Sequence, residues 1–110
     1  MMVYEKSHEL AQAIKKSKEY TEYKEIKAYV YGELNLKDKV EEFEKIRYEE
    51  QLLAMQGEEQ SVAKMQRLQE IYEILVKEPI VKEYFEKEVK FNLMIADVNK
   101  IIGESIKDVL

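Results

Sequence analysis

Cysteine and tryptophan are missing from the 110 residues, histidine and proline occur once each as His8 and Pro79, and glycine three times. Without cysteine there is no disulfide framework, no thiolate metal site, no thiol nucleophile and no cysteine-held iron–sulfur cluster. One histidine cannot supply the two Glu-x-x-His motifs of a di-iron bundle. Glu5 does precede His8 by one turn, but chance gives that spacing readily in a glutamate-rich chain, so His8 reads as a helix-surface or packing residue. Ser7, Ser17, Ser61 and Ser105 have no histidine partner beyond the adjacent His8, which on a helix points elsewhere, so no Ser-His-acid arrangement is supported. Gly32, Gly57 and Gly103 stand alone, which removes a phosphate-cradling loop. No apolar run approaches the roughly eighteen residues of a membrane span, and Met1 to Leu10 carries no apolar leader core. The expectation is a soluble, cytoplasmic chain with no catalytic residue, no cofactor and no bound metal.

Charge is plentiful but mixed. The net charge is -5, with 10 basic and 12 acidic residues in positions 1–56 and 8 and 11 in positions 57–110. Nucleic-acid binders usually present a basic face because phosphate neutralisation supplies much of their affinity, so strong direct nucleic-acid binding is not expected. Glu41, Glu42, Glu44, Glu49 and Glu50 interleave with Lys39, Lys45 and Arg47 and read as a solvated helix face. Two carboxylates would suffice for glycoside hydrolysis, but the chain lacks a sugar-stacking tryptophan and long loops. An apolar content of 45% allows one domain, 1–110, with a real core.

The residues that are present spell helices. After Pro79 an apolar stripe runs through Ile80, Tyr84, Phe91, Ile95, Val98, Ile102, Ile106 and Val109 at steps of three and four, which predicts one long helix opened by the proline in its first turn with Glu78 at or beside the cap. Such a helix would be about 46 Å long at about 1.5 Å per residue, longer than the roughly 35 Å diameter of a compact domain of this size. A second row, Phe85, Val89, Asn92, Ala96, Asn99 and Gly103, lies about a quarter-turn away, with Lys82, Glu86, Lys90, Asp97, Lys100, Glu104 and Lys107 on the remaining arc. Small residues let another backbone approach and an amide can fix register, so the row reads either as solvated flank or as a seam with another chain.

Upstream, a first helix over about 3–16 presents Ser7, Leu10, Ala11 and Ile14 on one side. Ser17 can cap a second that carries Tyr20, Tyr23, Ile26, Ala28 and Val30 before Gly32. Asn35 with Asp38 resembles a capping box for a helix to Gln56. Gly57 to Gln60 break the chain, Ser61 can cap again, and Met65, Leu68, Tyr72 and Leu75 follow in a helix to Lys77, giving an antiparallel helical hairpin. In the 36–56 helix, Leu36, Val40 and Phe43 share one face, but near its end Ile46 and Leu53 oppose Tyr48, Leu52 and Met55. A helix apolar on two sides needs two partners, and a twofold dimer is the commonest solution. The tyrosines Tyr20, Tyr23, Tyr29 and Tyr31 read as core or interface, burying rings while hydroxyls reach water.

In order and spacing, these pieces resemble the YlbF/YmcA family of small bacterial helical proteins: Val3-Tyr4 to Ile14, Ser17-Lys18-Glu19-Tyr20 with Tyr23-Lys24, Met55-Gln56-Gly57-Glu58-Glu59, Glu78-Pro79-Ile80-Val81-Lys82-Glu83-Tyr84 and Val98-Asn99-Lys100-Ile101-Ile102. By size and by the Gly-Glu-Glu turn the chain is most similar to the short YheA-like branch. The resemblance implies an all-helical, oligomeric, intracellular protein without known catalysis. It implies membership of a multiprotein complex that affects RNase Y-dependent mRNA maturation and, through it, competence, sporulation and biofilm formation. The cysteines with which some members ligate an iron–sulfur cluster are absent, so that property is not carried over. The expectation is an all-α helical bundle, with a helical hairpin and a long C-terminal helix, that forms a homodimer and serves a regulatory complex. Its candidate interface comprises Phe85, Val89, Asn92, Ala96, Asn99 and Gly103 with Tyr48, Leu52 and Met55. The rivals are a helical holdase or adaptor for client proteins and a carboxylate-based metal enzyme using Glu5 and His8.

Overall fold

The computed structural model describes residues 1–110, all but Leu34 with their side chains. Five α-helices follow one another: α1 (Met2–Lys16), α2 (Lys18–Gly32), α3 (Leu34–Met55), α4 (Val62–Leu75) and α5 (Pro79–Ser105), with a 3-10 turn at Lys107–Val109. The breaks fall where local chemistry places them. Ser17 adopts an extended conformation, with ψ 151°, and its Oγ accepts the Tyr20 amide at 3.2 Å, satisfying an otherwise orphaned donor at the start of α2. Ser61 does the same for the Lys64 amide at the start of α4. Gly57 turns the chain after α3 at φ 74°, a left-handed conformation that costs a side chain dearly. Glu78 caps α5, its carbonyl accepting the amides of Val81 and Lys82, and Pro79 needs no acceptor in that first turn.

Three expected boundaries are corrected, the simplest being that α4 ends at Leu75 and not at Lys77. The capping box at Asn35 does not form: α3 starts two residues earlier, at Leu34 after Glu33, with no side-chain cap bond. The Glu33 carbonyl already accepts the amides of Leu36 and Lys37, so Asn35 lies inside the first turn, where it cannot cap. The last helix ends at Ser105 rather than 109. Ile106 and Val109 are 44% and 79% exposed, so no packing holds the final turn in α geometry and it tightens to 3-10.

Contacts gather into two compact units, Met1–Lys27 with Tyr84–Leu110, and Ala28–Glu83; α2 and α5 supply residues to both. In the second unit α3 and α4 form the expected antiparallel hairpin. The end of α3 meets the start of α4 and the middle of α3 meets later turns of α4: Glu50 meets Ser61, Glu49 meets Lys64, Glu42 meets Arg67, and Phe43 meets Tyr72 with ring centroids 5.9 Å apart. Val40, Phe43, Ile71 and Leu75 are buried, as are Val30 and Val81, and each such side chain stabilises the fold by about 1.5–3 kcal/mol. The exposed ion pairs on this hairpin contribute little.

In the first unit the early part of α2 runs antiparallel to α5. Tyr20 packs on Phe91 at 6.1 Å and Tyr23 on both Phe91 (5.4 Å) and Tyr84 (5.8 Å). Tyr84, Phe85 and Ile26 are buried here. The tyrosine cluster therefore divides: Tyr20 and Tyr23 pack, the Tyr31 hydroxyl donates to Glu44 in the second unit, and Tyr29 is exposed.

Candidate interaction surfaces

Burial on α5 fades along its length. Val81, Tyr84, Phe85 and Glu88 are buried, Phe91, Ile95 and Val98 half-buried, and Ile102 is exposed. The second row of the helix separates accordingly. Phe85 is buried within its own unit, Gly103 is half-buried, and Val89, Asn92, Ala96 and Asn99 are exposed. A Cβ placed on Gly103 would meet open space. Leu93, 58% exposed, adds a large apolar side chain beside Val89 and Ala96 that the sequence reading missed. Its signal was the i, i+4, i+7 spacing of 89, 93 and 96. In the other unit Tyr48, Leu52 and Met55 are exposed, while Ile46 and Leu53 on the opposite side are half-buried. The two-sided character of α3 is therefore real, with one side packed and one open.

Helix α1 is more exposed still. It has no buried residue, only Ile14 being half-covered. Met2, Val3 and Tyr4 are 73%, 58% and 65% exposed. Val3, Ser7, Leu10 and Ile14, at steps of four, three and four, form one narrow stripe on this helix. His8 and Glu5 are exposed on the same helix, and among the described residues no three His, Asp or Glu side chains converge on a common point.

The charged features are structural in form. An open cleft of about 290 Å³ on the first unit is lined by Lys18, Glu19, Glu22, Lys87 and Lys90. Lys87 donates to Glu22 at 2.9 Å. That hydrogen bond holds the Glu22 carboxyl below its ordinary value; partial burial pushes the other way, and the charges of Lys87, Lys18 and Lys90 add to the lowering. A carboxyl whose folded pKa is depressed stabilises above its unfolded value, near 4.5, and loses that contribution as pH falls through the lower folded value. Glu22→Gln should therefore melt with a smaller loss on acidification from about pH 6 to about pH 3 than the parent; parallel acid profiles would contradict it.

Two carboxylates are buried, which corrects the reading of Glu50 as solvated. Glu50 is 2% exposed; its Oε2 accepts the Ser61 amide at 3.1 Å and its carbonyl accepts from Gln60 at 3.2 Å, while Oε1 has no partner. The carboxylate thus sits at the N-terminus of α4, where backbone dipoles favour negative charge. Glu88 is 6% exposed and accepts the Tyr23 hydroxyl. Both were findable: Glu50 lies seven residues after Phe43, on the face shared by Leu36, Val40 and Phe43, and Glu88 lies one turn after the buried Tyr84 and Phe85.

A model of the family described as "Control of competence regulator ComK, YlbF/YmcA" matches residues 3–107. The chain belongs to the YlbF/YmcA family. Relatives within reach of this YlbF/YmcA chain include a UPF0342 protein of Desulfitobacterium hafniense, 36% identical over 110 residues that cover 100% of this chain and 89% of that one. A UPF0342 protein of Caldicellulosiruptor bescii is 33% identical over 105 residues, covering 96% and 88%. A solved structure, a protein of unknown function (DUF964) from Bacillus stearothermophilus, superposes with a TM-score of 0.80 at 15% identity, covering 99% of this chain and 96% of that one. That likeness supports the all-α fold alone. No helix is long and apolar enough to cross a membrane, among the described residues.

Proposed function

We propose that this YlbF/YmcA protein is a non-catalytic helical interaction subunit of the cytoplasm. It associates with itself, and it acts as an accessory factor of a multiprotein complex that modulates RNase Y-dependent mRNA processing and, through it, competence, sporulation and biofilm formation. The observation that carries the reading is the apolar side of α1 left in solvent, supported by the exposed Val89, Leu93 and Ala96 on α5. Scattered surface hydrophobics are normal, but several in one helical stripe mark an association surface. The family's description as a control of a competence regulator supports the regulatory half. The two buried carboxylates favour a structural over a catalytic role, since Glu50 binds a backbone amide and Glu88 a tyrosine hydroxyl.

Two measurements test it. Light scattering of the purified protein at micromolar concentration should show a dimer or larger species, and a monodisperse monomer would overturn the self-association. Affinity capture with the intact protein from its native host should return one complex of fixed stoichiometry that contains the ribonuclease machinery. A broad set of substoichiometric clients would instead support a holdase using the same exposed rows.

A further inference from the structure

From Tyr48 to Ala63, the end of α3 and the start of α4, the chain carries four glutamates and neither lysine nor arginine, its longest stretch without a basic residue. The imbalance is regional. Residues 28–83 hold 8 of the 18 basic and 13 of the 23 acidic side chains, and the remaining residues hold 10 of each, so the net charge of -5 resides wholly in the unit that contains the α3–α4 hairpin. The tip of that hairpin also leaves apolar side chains in solvent. Met55 is 83% exposed, Val62 72% and Tyr48 62%. Tyr48, Leu52 and Met55 follow at steps of four and three, on the face of α3 opposite Phe43 and Glu50. Val62 opens α4 beyond the turn, and Glu58 and Glu59 stand exposed between the two helices.

We propose that this tip docks a cationic, apolar segment of another protein, in which lysines or arginines flank large apolar side chains. The proposal rests on the accessory-subunit reading above and gives that subunit a surface on the hairpin and a partner chemistry.

Charge selects the occupant. A second copy docking tip to tip would set like charges together, and its other unit carries no net charge to complement this one. Nucleic acid would bring phosphates, and an acidic bilayer would bring anionic headgroups. Like charges juxtaposed across an interface cost binding energy, and complementary ones speed encounter. A basic segment places its cations against Glu58 and Glu59, and a guanidinium among them has the face of Tyr48 as well. Apolar side chains of the same segment cover Met55 and Val62, and the unbranched, polarizable Met55 adapts to their shape.

The turn is ordered for this. Gly57 holds its left-handed φ of 74°, and the amides of Gly57 and Glu58 donate to the carbonyls of Ala54 and Leu53. Behind them the buried Glu50 accepts the Ser61 amide on its carboxylate and the Gln60 side chain on its carbonyl. Both ends of the turn are thereby tied to α3. Met55, the two glutamates and Val62 are presented without the ordering cost that a mobile loop adds on binding.

Fluorescence anisotropy with a labelled amphipathic lysine-leucine peptide tests the surface. The parent should bind it at least about tenfold more tightly than oligolysine or a glutamate-leucine peptide of equal length, because only the first offers both charge and apolar cover. Glu58→Lys with Glu59→Lys should weaken binding at least about tenfold, and Met55→Ser at least about fivefold, with helical circular dichroism unchanged because all three positions are exposed. Glu70→Lys with Glu73→Lys makes the same charge change farther along α4. Those positions lie about 12 Å or more beyond Val62 at about 1.5 Å per residue, past the screening length of about 8 Å in physiological salt, so binding should change less than about twofold. Equal weakening by the two double variants, or oligolysine binding as tightly as lysine-leucine, would reduce the attraction to net charge and overturn the proposal. Parental affinity in the tip variants, or no binding by the parent, would overturn it too. Capture from the native host separates this surface from the reading it rests on. If the Glu58→Lys and Glu59→Lys protein returns the parent's complex intact, the tip is overturned and the accessory-subunit reading stands; if the parent returns no complex, that reading falls and the peptide measurements still decide the tip.

Discussion

Tyr84→Ala should lower the stability of the folded chain by about 3–5 kcal/mol, the range for removing a fully buried aromatic ring. Tyr84 is 0% exposed, and its ring lies 5.8 Å from Tyr23 and 5.4 Å from Phe85. Those neighbours sit on two different helices and cannot collapse jointly into the space, so a cavity term adds to the lost burial. Tyr29→Ala removes the same atoms from a side chain 58% exposed and should cost about 0.5 kcal/mol or less. Denaturant midpoints of the two variants check this. A Tyr84→Ala loss below about 1 kcal/mol would mean that α2 and α5 do not depend on the ring.

Leu75→Ala should be nearly as costly, about 2–5 kcal/mol, because Leu75 is 1% exposed at the end of α4. Its neighbour Ile74 is 46% exposed, and Ile74→Ala should cost about 1 kcal/mol or less, with a helix-propensity gain offsetting part of the lost contact. The adjacent pair shares one helix, so the difference between them isolates packing. Similar losses at both positions would contradict the packing of α4 on α3.

Element type and most breaks could be read from the sequence because each rests on local chemistry: the hydroxyl of Ser17 or Ser61, the missing amide hydrogen of Pro79, the free φ of Gly57. The start of α3 was misread because Asn35 and Asp38 match a capping pattern, while the backbone of Glu33 had already taken the position. The end of α5 was misread because apolar periodicity continues past Ser105, yet periodicity holds a helix only where something packs on it. Glu50 was hidden by its glutamate neighbours; residue type said solvent, and only its phase in the stripe said core. The α5 row was visible as a pattern, but which of its members lie open depends on tertiary contacts: Phe85 turned inward while Val89, Asn92, Ala96 and Asn99 did not. The openness of α1 could not be foreseen from its pattern, since an apolar stripe states a need for cover without saying who provides it.

The boundary between the two compact units cuts through helices, between Lys27 and Ala28 in α2 and between Glu83 and Tyr84 in α5. Neither cut has a cap. Melting Ala28–Glu83 alone would end α5 abruptly at Tyr84 and strip hydrogen-bond partners from the first four amides of what remained. The fraying would start beside the ring that anchors the surviving half. Each half therefore serves as the other's terminus, and heat should meet one transition in which calorimetric and van't Hoff enthalpies agree. A partner gripping only α1 would then raise the melting temperature of the α3–α4 hairpin, residues it never touches.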